Sequence, residues 1–184
     1  MKPILILLSA ATLWSQGALA EFRVQSSDIS NGKPMPKAQE FNGFGCEGSN
    51  LSPQLSWSGA PEGTKSFAIT AYDPDAPTGS GWWHWLAFNI PADVTSLKTG
   101  ASGNTMPEGS TESRTDYGVP GFGGACPPKG DKAHRYQFTV FALNTDKLDL
   151  APDSSGALVG YYLNGHALAK TTLEALYQRP YAHT

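Results

Sequence analysis

Three short segments of the chain combine carboxylate, imidazole and aromatic side chains in ways that a protein core does not require. The first is Tyr72–Pro77, where Asp73 and Asp75 follow an apolar run in a turn that contains two prolines. Either carboxylate can accept hydrogen bonds from a nearby donor, but an aspartate in such a turn commonly bonds its own backbone. Taken alone, this segment favours turn chemistry over a functional site.

The second segment, Gly81–Trp85, contains His84 within a run of tryptophans. If the segment enters a strand, alternation places Trp82 and His84 on one face and Trp83 with Trp85 on the other. His84 and Trp82 would then line one wall of a cavity. The alternative, a buried histidine that bonds a backbone carbonyl, is equally open at this point.

The third segment, Cys126–Tyr136, is a loop fixed by prolines and Gly130 that leads to His134 and Tyr136 at the start of a strand. The two-residue spacing puts the His134 and Tyr136 side chains on the same face, and Arg135 on the opposite one. Imidazole and phenol groups can donate hydrogen bonds to an anion such as phosphate, while an aspartate sets the tautomer or the charge of one histidine. The three segments together therefore predict an anion-binding pocket.

Two other chemistries fit the same residues. A histidine paired with Asp73 can act as a general base. A hydrolase would also need a nucleophile, but Ser80 lies in a glycine-rich turn and no segment resembles the Gly-x-Ser-x-Gly nucleophile motif. Two histidines and one carboxylate can also hold a metal ion. We expect a binding protein instead, with no catalytic residues, no cofactor and no metal, and we keep the small hydrolase and the metal-binding protein as alternatives.

Short apolar runs separated by glycine and proline predict the strands that position these segments. They are Phe22–Val24, Leu55–Trp57, Phe67–Tyr72, Trp85–Ile90 and Tyr136–Leu143. The last is apolar on both faces, so we expect it to be central and covered on both sides. Many short strands at this spacing predict a mainly β fold, an antiparallel β-sandwich in one domain over residues 21–184.

One helix and a last strand are predicted near the end of the chain. Asp153, Ser154 or Ser155 can cap the helix, which has apolar residues at helical spacing and ends near Gly165. Thr172–Tyr177 is the candidate last strand.

The first twenty residues have the pattern of a secretory signal peptide. Lys2 precedes an apolar stretch that runs to about Trp14, and Ala18–Ala20 puts small residues before a cleavage site after Ala20. The stretch is shorter than the roughly 20 residues that a spanning helix needs. We therefore expect an exported protein, periplasmic or secreted, with no membrane span.

Net charge and cysteine content further narrow the class of protein to which this chain can belong. The formal net charge of −3 argues against a nucleic-acid binder or a general binder of anionic membranes. Cys46 and Cys126 are the two cysteines of the chain. An even count in an exported protein predicts a disulfide, with two free buried thiols as the alternative.

The three segments resemble the phosphatidylethanolamine-binding proteins, and more narrowly their bacterial Raf-kinase-inhibitor-like branch, the YbhB/YbcL group. The resemblance covers about Phe22 to Tyr177. The matching residues are Asp73–Pro77, Trp83–Trp85 with Asn89–Pro91, Pro127–Gly130 followed by His134–Tyr136, Ser52–Trp57, Tyr117–Gly118 and Gly121–Cys126.

This resemblance implies a β-sandwich with a few peripheral helices and an anion pocket at one end. On the family's pattern the pocket is lined by Asp73, His84, His134 and Tyr136, with Asp75 and Trp82 at or beside it. The implied ligand is phosphate-like or a phospholipid headgroup, and the peptide bond before Pro74 is implied to be cis. Relatives are described as inhibitors of kinases or proteases, which leaves a protein partner open. The sequence departs from eukaryotic members at Cys126, where they often have glycine.

Overall fold

A computed structural model describes residues 21–181 of the chain. The predicted signal peptide, residues 1–20, lies outside the described residues. The strands are β1 (Arg23–Gln25), β2 (Asn42–Gly43), β3 (Cys46–Glu47), β4 (Leu55–Ser58), β5 (Ser66–Asp73), β6 (Trp82–Pro91), β7 (Ser96–Leu97), β8 (Thr111–Glu112), β9 (His134–Leu143) and β10 (Ala167–Tyr177). The helices are a short 3-10 turn at Lys37–Gln39 and α1 at Gly156–His166.

The strands form two facing antiparallel sheets and a separate hairpin. One sheet has the order β10-β9-β5-β6-β8, the other has the order β1-β4-β7, and β2 pairs with β3. Buried side chains of the smaller sheet, including Leu55 and Trp57, pack in one cluster with Ile69, Phe138 and Val140 of the larger sheet. Burial of these apolar side chains between the sheets is the main stabilising force, and it confirms the predicted antiparallel sandwich.

Strand β9 is central, as its apolar composition predicts, and pairs with β5 on one side and β10 on the other. Its second face is covered only in part. Phe141 and Leu143 pack in a second cluster beneath α1, whereas Gln137 and Thr139 are partly exposed. α1 is too short to cover the whole strand, so the expected covering of both faces holds for one end only.

Helix α1 begins and ends where the sequence predicts. The Ser155 hydroxyl accepts a hydrogen bond from the Leu158 backbone N–H, which satisfies one of the free donors of the first turn. Val159 and Leu163 are the buried side chains that attach α1 to the larger sheet. Strand β10 follows at once and is longer than predicted, because it pairs with β9 along nearly its whole length. Neither helix of the described range is long and apolar enough to cross a membrane.

A β-bulge at His84 changes the expected faces of the tryptophans. Ala71 pairs with Trp85 and Tyr72 pairs with Trp83, so His84 is an extra residue with no partner of its own. Trp85 therefore packs in the core between the sheets, while Trp83 packs on the opposite face beneath α1. The prediction that the two share a face is wrong, because simple alternation cannot account for an inserted residue.

Candidate functional site

A cavity of about 220 Å³ lies at one end of the larger sheet. It is smaller than the roughly 300–1,000 Å³ of pockets that hold drug-sized ligands, and therefore suits a small group. It lies where β5 ends and where β6 and β9 begin, because antiparallel neighbours bring those ends to one edge. The lining residues are Phe44, Asp73, Ala76, Pro77, Thr78, Trp82, His84, Tyr117, Cys126, Pro128, His134 and Tyr136.

The structure brings five of the six predicted site residues into this lining. They are Asp73, Trp82, His84, His134 and Tyr136. Asp75, the sixth, lies next to the cavity but not in its lining. The three segments that the sequence singled out therefore converge on one place.

The turn between β5 and β6 sets the positions of Asp73 and Trp82. Asp73 Oδ1 accepts a hydrogen bond of 2.8 Å from the Asp75 backbone N–H, so the carboxylate does form the expected turn contact. At Gly81, where φ is +67°, an added Cβ would lie 2.2 Å from the Tyr72 hydroxyl oxygen. Only glycine fits there, and the turn returns the chain directly into β6. The peptide bond before Pro74 is trans, so the cis bond implied by the family resemblance was wrong.

Asp73 and His134 form a buried pair on the floor of the cavity. His134 Nδ1 lies 2.8 Å from Asp73 Oδ2, and each side chain is only 3% exposed. His134 Nε2 lies 3.4 Å from Asp131 Oδ2, a longer contact to a carboxylate that is 42% exposed. The aspartate that orients a histidine is therefore Asp73, and the histidine that it orients is His134.

His84 has a different environment. Its Nδ1 lies 2.7 Å from the Gly123 carbonyl oxygen. A carbonyl can only accept, so Nδ1 carries a proton. Burial lowers the pKa of His84, an effect opposed by the Gly123 contact and by the charge of Asp73. The neutral ring then has Nε2 as a hydrogen-bond acceptor, which differs from the donor role that was predicted for imidazole from the sequence.

Two aromatic donors in the lining have no partner within the described part of the chain. The Tyr136 hydroxyl and the Trp82 indole N–H are both buried and have no partner in hydrogen-bonding geometry, although the Tyr136 hydroxyl lies close to the Asp73 carboxylate. Burial raises the pKa of Tyr136 far above its usual value, an effect that Asp73 reinforces, so the phenol keeps its proton. A buried polar group without a partner costs about 1–3 kcal/mol, so two of them at one cavity favour a functional role for the site.

Asp75 binds Arg135 rather than facing the cavity. Its carboxylate accepts two hydrogen bonds of 2.9 Å from the guanidinium and one of 2.9 Å from the Arg135 backbone N–H. The side-chain hydrogen bond from Arg135 lowers the pKa of Asp75 to about 2. Arg135 points away from His134 and Tyr136, as predicted. The pair fixes the start of β9 and so holds His134 and Tyr136 in register.

We expect Asp75→Asn to cost about 0.5–1 kcal/mol of unfolding free energy at pH 7, since Arg135 is solvent-exposed and screened. An unfolded aspartate ionises above about pH 3.9, whereas folded Asp75 has a pKa of about 2. The stabilisation is therefore complete above about pH 4. It is lost as the pH falls toward 2. Urea unfolding from pH 7 to pH 2 should show the difference shrinking, and Arg135→Gln should behave alike. A difference independent of pH would contradict this assignment.

Tyr117 and Phe44 line the cavity without having been predicted as site residues. The Tyr117 hydroxyl donates a 2.8 Å hydrogen bond to the Gly124 carbonyl oxygen, and its ring packs edge-on against Trp82 and His84. Phe44 is 74% exposed and stands at the rim, tilted against the Tyr117 ring. The only sequence signal was the match of Tyr117–Gly118 to the family pattern. Phe44 gave none.

A disulfide joins Cys46 of β3 to Cys126 in the loop before β9, across 80 residues of sequence. This confirms the predicted pairing and excludes the alternative of two free thiols. Cys126 itself lines the cavity. The disulfide therefore attaches the hairpin that carries Phe44 to the loop that leads to His134.

The alternative of a metal site finds no geometric support in the described residues. Within residues 21–181, no group of three or more histidine, cysteine, aspartate or glutamate side chains is arranged to hold a metal ion. His84 and His134 each have one ring nitrogen engaged by another partner, the Gly123 carbonyl and the Asp73 carboxylate.

Comparisons of the sequence and of the structure with known proteins all identify the same family. The family model described as phosphatidylethanolamine-binding protein matches residues 25–178. The chain is 51% identical to YbcL of Escherichia coli strain K12, over 97% of this chain and 99% of that protein. It is 47% identical to YbhB of the same organism, over 83% of this chain and 97% of that protein. The crystal structure of E. coli YbcL, described as a member of the mammalian PEBP family, superposes with a TM-score of 0.85, covering 86% of this chain and 99% of that one.

Proposed function

This chain belongs to the phosphatidylethanolamine-binding protein family, and from that premise we propose that it binds a small anionic group of the phosphate type in the cavity at the end of the larger sheet. The family takes its name from a phospholipid whose headgroup contains a phosphate. A phospholipid headgroup and a free phosphate compound share that chemistry, so both belong to the proposed ligand class.

The observation that carries the proposal is the pair of unpartnered donors, the Tyr136 hydroxyl and the Trp82 indole N–H. An anion in the cavity offers oxygens that can accept from such donors, and hydrogen bonds to an ionised partner are about twice as strong as neutral ones. The imidazole of His134, oriented by Asp73, lies in the same lining. A ligand of this class would therefore satisfy groups that the protein itself leaves buried and unpaired.

We propose binding without catalysis, because the cavity offers no activated nucleophile. The Thr78 hydroxyl donates a 2.5 Å hydrogen bond to the Gly81 carbonyl, and Cys126 is held in the disulfide. Burial raises the pKa of both Tyr117 and Tyr136, which makes either phenol a poor nucleophile. The Asp73–His134 pair resembles a general base, but among the described residues of the lining the hydroxyl groups belong to these two tyrosines and to Thr78.

We also propose that the protein is exported and acts in the periplasm or outside the cell. The support is the signal-peptide pattern of residues 1–20 and the disulfide, since disulfides persist in oxidising compartments. Modulation of a partner enzyme, which the family resemblance implies, stays a prediction.

Titration with inorganic phosphate, followed by NMR of the histidine rings, tests the proposed function. We expect saturable shifts of the His84 and His134 resonances and none at His166, which lies on α1 and bonds Asn144 away from the cavity. Tyr136→Phe removes one donor and should weaken binding by a factor of about 10 to 150, since a hydrogen bond to a charged group contributes about 1.5–3 kcal/mol. Tyr161→Phe, an exposed tyrosine on α1, is the matched control and should bind normally. Unchanged resonances at both cavity histidines would refute the proposal.

A further inference from the structure

We infer that the cavity selects an anion that keeps one acid proton, such as a phosphate monoester carrying a P–OH group, over anions of equal charge that have no such proton. The inference rests on the proposed function and specifies its ligand class. It follows from an acceptor and a carboxylate that the structure places among the donors.

The acceptor is Nε2 of His84. The 2.7 Å contact between Nδ1 and the Gly123 carbonyl oxygen fixes the ring proton on Nδ1. Gly123 in turn donates its backbone N–H to the His84 carbonyl over 2.8 Å, so the ring and the loop are held together from both sides. Turning the ring over would break the Nδ1 contact in a buried place, where an unpaired group is costly. A bare anion oxygen beside Nε2 would meet a lone pair, whereas a P–OH group donates to it.

The charges of the residues that line the cavity also favour an anion that keeps one acid proton. Asp73 is the carboxylate of the lining, and none of the described residues that line the cavity is a lysine or an arginine. A doubly charged anion would lie beside the Asp73 carboxylate with no lysine or arginine among the described lining residues to offset the repulsion. A singly protonated anion carries less charge and donates its proton to His84. Its remaining oxygens can accept from Tyr136 and Trp82.

The ionisable groups around His84 leave its tautomer in place. Burial lowers the pKa of His84 more strongly than the opposing groups raise it. The opposing groups are the Gly123 and Gly124 backbone and the charges of Asp73 on β5 and Asp116 beside β6. Tyr117 and Tyr136 pack edge-on against the ring, and burial keeps both phenols protonated. The remaining ionisable group of the lining is His134, which is paired with Asp73.

A comparison of three small esters distinguishes the effect of the acid proton on affinity from the effects of net charge and size. At pH 5 methyl phosphate, dimethyl phosphate and methyl sulfate each carry one negative charge, because the second pKa of a phosphate monoester is about 6. Only methyl phosphate has an acid proton, and dimethyl phosphate stands for a phospholipid diester. By calorimetry we expect methyl phosphate to bind at least about tenfold more tightly than the other two, the factor that corresponds to one hydrogen bond of about 1.4 kcal/mol. Its advantage should fall at pH 8, where it loses the proton.

Binding of the three esters within a factor of two at pH 5 would overturn the inference and leave the proposed function intact. Binding of none would refute the proposed function and the inference together. A second measurement needs no ligand and no variant: the ¹⁵N resonances of the His84 ring should show a protonated Nδ1 and an unprotonated Nε2 at pH 7. The opposite tautomer would overturn the inference.

Discussion

Asp73→Ala is expected to lower the free energy of unfolding by about 1–3 kcal/mol through the His134 ring N–H alone, which it leaves buried without an acceptor. The Asp73 and His134 side chains are each 3% exposed, and Asp73 Oδ2 lies 2.8 Å from His134 Nδ1. The same substitution removes the acceptor of the Asp75 backbone N–H at the start of the turn. Both losses act at one residue, and therefore the effect should be among the largest of any polar substitution in this protein.

Asp131→Asn is the matched control, because Asp131 also faces His134 but is 42% exposed and lies 3.4 Å away. It should cost less than about 1 kcal/mol, because solvent screens a long contact to a partly exposed carboxylate. Asp73→Asn keeps an oxygen for the Asp75 N–H and should lie between the two. Urea unfolding at pH 7 measures all three variants. Equal losses of unfolding free energy for Asp73→Ala and Asp131→Asn would show that the buried contact between Asp73 and His134 stabilises the fold no more than the exposed contact of Asp131 does.

The long, strongly patterned elements of the fold could be predicted from the sequence. In strand β9, seven of the eight positions from Tyr136 to Leu143 are apolar, aromatic or β-branched, and α1 has a capping serine followed by apolar residues at helical spacing. The two-residue strands β2, β3, β7 and β8 were not predicted, because a strand of two residues has no periodicity to detect. Their pairing depends on the neighbouring strands of the sheet, and the local sequence holds no information about those neighbours.

The candidate site was predicted in part for the same reason. Asp73, His84 and His134 stand at strand ends beside turn-forming residues, a local pattern that a single sequence displays. The tautomer of His84 depends on the carbonyl of Gly123, 39 residues away in the chain. The role of Asp75 depends on Arg135, 60 residues away. Contacts of that separation are set by the packing of the sheets, so residue types and spacing identified the participants but not their partners.

Loss of the disulfide is the second large effect that we expect. The double variant Cys46→Ala, Cys126→Ala should unfold with about 2–5 kcal/mol less free energy, because the disulfide restricts a loop of 80 residues in the unfolded chain. Substitution of both residues together avoids leaving a reactive thiol. Thermal unfolding of the variant, and of the unaltered protein with and without dithiothreitol, measures the loss.

The same variant should bind phosphate several-fold more weakly, because the disulfide also attaches the rim of the cavity to its floor. The hairpin of β2 and β3 has only two pairs of residues. Its other contacts include the rings of Phe41 and Phe44 against Tyr117, the Glu47 N–H donated to the Glu40 carboxylate, and Arg179 bound to the Gly45 carbonyl. Phe44→Ala leaves the disulfide intact and tests the rim alone. If that variant binds as weakly as the double cysteine variant, the disulfide acts on binding through Phe44. If it binds normally while the double variant does not, the disulfide acts through the loop that leads to His134, and unchanged binding in both would contradict the prediction.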